Sequence, residues 1–192
     1  MTWQTEEFEG EHEGRAAAVL ADGSEPKPMI YDVGSGSEFH RTSDWWVYDG
    51  TLGAPEAAAL RAACSCGWRG APLHPLDWEQ VRADDPEEYD TSGPEEEWDR
   101  HVTEVEARTV PLPAELAGLL RELDRQLENL ADDAPLAALR AAGALERTTS
   151  RTARTAAFNI RNDEIPDAEI ATGLGLSEAT AGSRVLRYYY AR

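Results

Sequence analysis

Leucines at positions 116, 120, 123, 127 and 130 recur at spacings of four and three residues, a seam along one side of a helix over residues 114–131. Arg121, Glu122, Arg125 and Glu128 fall on the outer faces, where opposite charges three and four apart support a helix. The seam fits two arrangements, a coiled-coil contact with a second chain or an amphipathic helix packed on its own neighbours. Asp132-Asp133-Ala134-Pro135 stops this helix and starts another over residues 135–148, so the pair predicts a helical hairpin. Further helical segments follow over residues 149–160, 166–174 and 178–190. Upstream, Trp98, His101, Val102 and Val105 share one face of a helix that Pro94 and Glu95–Glu97 open.

Strand patterns lie further towards the front. Residues 29–33 predict a short strand, and Trp45-Trp46-Val47-Tyr48 a second, aromatic and β-branched, closed by Asp49-Gly50. A third carries both cysteines, in Arg61-Ala62-Ala63-Cys64-Ser65-Cys66-Gly67-Trp68. Residues 71–93 read as a long acidic, proline-rich loop, with one helical turn near residues 77–82. The fold class expected is α+β: a small antiparallel sheet, a helical hairpin and a C-terminal helix-turn-helix. The divisions expected are a loosely ordered acidic segment at 1–27, a β-rich domain at 28–110, the hairpin at 111–148 and the helix-turn-helix at 149–192.

Charge sharpens this division. The net charge of −19 sits at the front: residues 1–139 carry 10 basic and 31 acidic residues, whereas residues 140–192 carry 8 and 6. So acidic a balance argues against nonspecific nucleic-acid binding by the whole molecule, but the tail is mildly basic. No apolar run approaches the ~20 residues that span a bilayer, and no secretory signal opens the chain. With two cysteines and no signal, a reducing cytoplasmic setting is expected.

The cysteine strand carries the candidate metal chemistry. Two thiolates one residue apart followed by Gly-Trp make half of a zinc knuckle, which two imidazoles would complete. An extended backbone points the two side chains to opposite faces, which argues against a disulfide. The expected structural zinc set is Cys64, Cys66, His74 and His101, with His40 the alternative fourth ligand; the competing reading is a pair of buried thiols among surface histidines. An active site is not expected. Gly34-Ser35-Gly36-Ser37 with His40 and Asp44 nearby lacks the strand-to-helix setting of a nucleophile elbow, and it is too short for a phosphate loop.

The tail run from Ile170 through Gly175-Leu176-Ser177 to Arg184-Val185-Leu186 resembles the helix-turn-helix of sigma-factor region 4 and similar regulators, over residues 149–190. The resemblance implies a small residue, Ala171, where two helices cross, and a left-handed turn at Gly175. It implies a core of Leu174, Leu176, Ala181 and Val185. It also implies that Ser177, Glu178, Ala179, Gly182 and Ser183 face the major groove, with Arg184 and Arg187 at or near phosphates. None of the groove-facing positions is Arg, Asn or Gln, so base readout from this helix alone is poor, and a dimer, or phosphate contacts from arginines 147, 151, 154 and 161, would have to supply affinity. The Cys-x-Cys-Gly-Trp-Arg-Gly run followed by Trp98-x-x-His101 is similar to a group of proteins from high-GC actinobacteria, a likeness that brings no biochemical role.

The function expected is a non-enzymatic, dimeric transcriptional regulator that binds double-stranded DNA, its acidic front domain serving for partner binding or dimerisation. The alternative is a protein-interaction adaptor, or a DNA-mimic inhibitor, working through the acidic surface.

Overall fold

The computed structural model describes residues 2–5, 8–32, 39–83 and 85–191. The chain divides into two compact units, Met1–Ala107 and Arg108–Arg192, and its class is α+β.

In the first unit, strands β1 (Trp3–Thr5) and β2 (Glu9–Val19) lead to a separate hairpin of β3 (Met29–Asp32) and β4 (Phe39–Thr42). Strands β5 (Ala59–Cys64) and β6 (His74–Pro75) complete an antiparallel sheet of order β1-β2-β5-β6. Helices α1 (Trp78–Ala83) and α2 (Ser92–Glu106) follow. The register Gly14↔Cys64, Ala16↔Ala62, Ala18↔Leu60 puts these residues on one face of the sheet. That face is lined with small side chains, and large ones, Trp3, Trp45, Tyr48, Val81 and Trp98, fill the space above it. Gly14 shows why smallness is required: a β-carbon there would lie 2.6 Å from the Trp98 ring. Glycine weakens a strand on its own account, and here it is the condition for α2 to lie close.

Two expectations change. The described part of the segment 1–27 is not loosely ordered: β2, the longest strand among the described residues, sits inside the sheet, between β1 and β5. Its poor strand formers, Glu, Gly and Ala, are outweighed by pairing on both edges and burial of one face. Trp45–Val47 is a 3-10 helix and not a strand. Trp45 and Tyr48 are both buried. Residues three apart face the same way on a 3-10 helix and opposite ways on a strand, so helix is the conformation that buries both. The run Gly34–Ser37 lies outside the described residues.

In the second unit, α3 (Ala114–Asp133) and α4 (Pro135–Asn162) form an antiparallel hairpin turning at Ala134. The expected break near residue 148 is absent, and α4 runs through it. No Gly or Pro interrupts Thr148-Thr149-Ser150, and both threonine hydroxyls donate back to carbonyls one turn earlier, those of Ala144 and Leu145. Helices α5 (Asp167–Leu174) and α6 (Glu178–Tyr190) then make the helix-turn-helix. Its core is Ala157, Ile170, Ala171, Ala181 and Val185, flanked by Ile160, Ile165, Leu176 and Tyr188. Leu174, expected in that core, is exposed. No residue of α3 is fully buried: Leu123, Leu127 and Leu130 are half-buried, and Leu116 and Leu120 are exposed.

Candidate metal centre

Strand β5 ends at Cys64, and the chain turns back at once. Gly67, with φ of +96°, occupies a conformation that side chains resist. Its N–H donates to the Cys64 carbonyl at 3.0 Å, and the Cys64 N–H donates to the Trp68 carbonyl at 3.0 Å. Ser65 clips this turn to β2. Its N–H donates to the Glu13 carbonyl at 2.8 Å, its hydroxyl donates to the Glu11 carbonyl at 2.9 Å, and that oxygen accepts the Glu13 N–H at 2.9 Å. Cys66 therefore lies on a turn, not on an extended strand, and its sulfur comes to the same side as that of Cys64.

Two histidines meet these sulfurs. His12 shares the core face of β2 with Gly14 and Ala16, and its Nδ1 is 3.4 Å from Cys64 Sγ. His101 stands one turn beyond Trp98 on α2, and its Nε2 is 3.4 Å from Cys66 Sγ. One ligand atom from each of the four side chains lies within 4.8 Å of every other. Zinc bonds of ~2.3 Å to sulfur and ~2.0 Å to nitrogen give a tetrahedron with S···N edges of about 3.6 Å, close to both observed contacts. Two thiols and two imidazoles are also the donors of closed structural zinc sites. The cluster can thus hold a metal ion.

The surroundings hold the ligands in place. The Trp68 indole stacks on the His101 ring at 4.3 Å and 7°, and Phe8 meets His12 edge-on at 5.2 Å. His12 and Cys64 are buried, His101 is half-buried and Cys66 is exposed, so the cluster opens to solvent on its Cys66 side. A hydrogen bond between the two thiols, with Cys66 as donor, pulls the Cys64 pKa down and pushes that of Cys66 up. Burial lowers the His101 pKa and favours the neutral imidazole that binds metal.

Of the expected ligands, Cys64, Cys66 and His101 come together and His74 does not. Its Nε2 lies 2.7 Å from Oε1 of the buried Glu97. Register explains the exchange. His74 pairs with Leu60, four residues and about 13 Å down the strand from Cys64, whereas Gly14 pairs directly with Cys64 and His12 lies two residues beyond, level with the turn. His40 lies on β4, and its side chain is outside the described residues. Sequence reading missed His12 because its strand was taken for a loose segment. A signal was present: Glu9, Glu11, Glu13 and Arg15 alternate with Gly10, His12, Gly14 and Ala16, the period of a strand with His12 on the small-residue face.

In the second unit, Gly175 takes the left-handed turn at φ of 64° and closes α5. Ser177 caps α6, its hydroxyl oxygen accepting the Thr180 N–H at 3.2 Å. Of the positions assigned to DNA, Glu178, Ala179, Ser183 and Arg187 are exposed, and Gly182 and Arg184 are half-buried. The Arg187 guanidinium lies 5.0 Å from the centre of the Tyr188 ring. Acids gather at the start of this motif, with Asp167 and Glu169 in the first turn of α5 and Glu178 in that of α6.

Fold and site together define a two-unit α+β protein, a sheet carrying a Cys₂His₂ cluster and a helical unit ending in a helix-turn-helix. Compared with protein-family models, curated proteins and solved structures, the chain has no match. Among the described residues, no helix is long and apolar enough to cross a membrane.

Proposed function

We propose that the protein is a transcriptional regulator that binds double-stranded DNA through its helical unit, with structural zinc in the cluster of the first unit. The observation that carries the DNA reading is the α5–Gly175–α6 geometry, in which a left-handed glycine and a serine cap set a second helix with a polar, exposed leading edge. The same element places the first residues of a helix in the major groove in known DNA readers. Zinc is favoured by the donor set and by S···N contacts of tetrahedral length. The half-buried leucines of α3 are the surface proposed for a second copy, and the acidic first unit is then free to bind a protein partner.

The test is a gel shift of duplex fragments by the full chain at about 50 mM salt, repeated at higher salt. Binding that weakens steeply with salt supports the reading, and no shift at low salt rejects it. A second reading, a non-enzymatic adaptor or DNA-mimic inhibitor, is favoured by the carboxylates in the first turns of the two helices, Asp167 and Glu169 on α5 and Glu178 on α6, which repel phosphate from the motif. A chain that binds no duplex but displaces DNA from a DNA-binding protein supports that alternative.

A further inference from the structure

Helix α4 carries five arginines and a single acid, Glu146, in a chain of net charge −19. The arginines stand at 140, 147, 151, 154 and 161. At about 100° and 1.5 Å per residue, they fall within an arc of about 80° and a length of about 30 Å. All five are exposed. The other sides of α4 are taken. Ala138, Ala141 and Leu145 are half-buried, with Ala141 lining a cavity with Leu123, Leu127 and Leu130 of α3. Ala157 and Ile160 pack with α5 and α6. The arginines lie on the exposed side, which they share with Leu136 and Phe158.

This row differs from an ordinary solvated face. On α3, Arg125 donates to Glu122 at 2.6 Å, the mixed-sign pairing by which exposed helices offset their own charges. Among the described residues, none of the five α4 arginines has a carboxylate partner; Arg161 lies 5.6 Å from the centre of the Tyr189 ring. Arg147, Arg151 and Arg154 repel one another at spacings of four and three. An external polyanion would offset that repulsion.

We propose that this arginine row, and not the start of α6, is the phosphate-binding surface of the protein, and that a DNA duplex lies along α4. The inference rests on the reading that the helical unit binds duplex DNA, and it moves the phosphate contacts from the first turn of α6 to α4. A duplex carries one negative charge per ~1.7 Å of axis and one turn per ~34 Å, so a row of about 30 Å spans close to one turn. Glu178 in the first turn of α6, and Asp167 beside Gly182 one turn on, disfavour phosphate there, which leaves α4 as the electrostatic dock.

Duplex binding by the full chain is measured against salt for three forms: the wild type, Arg147→Gln/Arg151→Gln/Arg154→Gln, and Arg184→Ala/Arg187→Ala. Glutamine keeps the helix propensity of arginine, and unchanged melting certifies the fold. The triple variant is expected to lose about 10²- to 10³-fold in affinity at 0.1 M salt, and its log–log salt slope to fall by about 2.7. The α6 double variant is expected to change less. If the triple variant binds as the wild type does while the α6 variant is silent, the α4 dock is wrong and the DNA reading stands. If the wild type binds no duplex, both fall. If the wild type binds heparin beads but not duplex, the row is a general polyanion surface and the proposal is overturned.

Discussion

The first unit buries its large side chains, and the second hardly buries any. Trp3, Trp45, Tyr48, Leu60 and Trp98 are nearly inaccessible in the sheet unit, whereas the helical unit's buried residues are three alanines, an isoleucine and a valine. The sheet unit gains its burial by putting mostly small residues on β2 and β5 and covering them with large ones, Trp45, Tyr48 and Trp98 from the helices and turns and Trp3 from β1. Its cost is a sheet face with little apolar area of its own, and the Cys₂His₂ cluster stands at the end of that face, where β5 ends and the chain turns back. The helical unit leaves the leucine side of α3 half-covered and one side of α4 charged. One unit is closed, with the zinc proposed for its cluster as its staple; the other presents surfaces.

Removing the staple should affect the first unit most. Purified protein is expected to hold close to one zinc per chain, and His12→Ala or Cys64→Ser to lose it. Structural zinc contributes apparent free energies of ~10–16 kcal/mol in isolated fingers, so even part of that exceeds the stability of a small unit. Near-ultraviolet dichroism, which reports the tryptophans, should collapse on chelation, while far-ultraviolet helical signal from residues 108–192 persists. His74→Ala is the control that keeps the metal. Protein with no stoichiometric metal, or a His74 variant that loses it, would break the comparison.

The next largest effect is expected from Gly14→Val. The new side chain meets the Trp98 ring and must push α2 off the sheet, carrying His101 with it. A loss of about 1–3 kcal/mol or more in urea unfolding is expected, together with weaker zinc affinity. A neutral result would mean that the close approach of α2 is not a condition of the fold.

In the second unit, Leu123→Lys tests the open seam. If two chains meet there, the wild type sediments as a dimer at micromolar concentration, and the variant as a helical monomer. A wild-type monomer at that concentration removes the seam as an interface, and the variant's effect is then a loss of stability within one chain.

What was legible in the sequence follows the same contrast. Both hairpin helices, the turn at Gly175 and the face shared by Trp98 and His101 could be read because helix periodicity and capping are local. The break placed near residue 148 was an error of composition, since hydroxyls bonded back to the preceding turn sit in a helix without ending it. In the sheet unit the decisive facts are pairings between distant residues. Gly14 against Cys64, 50 positions apart, brings His12 to the cysteines and keeps His74 from them, and no local rule supplies that register. The 3-10 turn at Trp45 was hidden for a similar reason, because only a core that takes both Trp45 and Tyr48 selects it.

The smallest expected effect sharpens the account of the helix-turn-helix. Ser177→Ala removes the oxygen that accepts the Thr180 N–H and leaves an orphan donor at the start of α6. Such caps contribute ~1 kcal/mol, and the small core of Ala157, Ile170, Ala171, Ala181 and Val185 has little with which to offset that loss. A fall of about 1 kcal/mol in the stability of the helical unit is expected, with zinc content unchanged, since the cluster belongs to the other unit. Ser177→Asp separates the cap from the surface. It keeps an acceptor at the helix start, so stability should return, but it adds a negative charge beside Glu178. If α6 meets phosphates with its first turn, duplex affinity falls although the fold is restored; if the duplex lies along α4, affinity stays near that of the wild type.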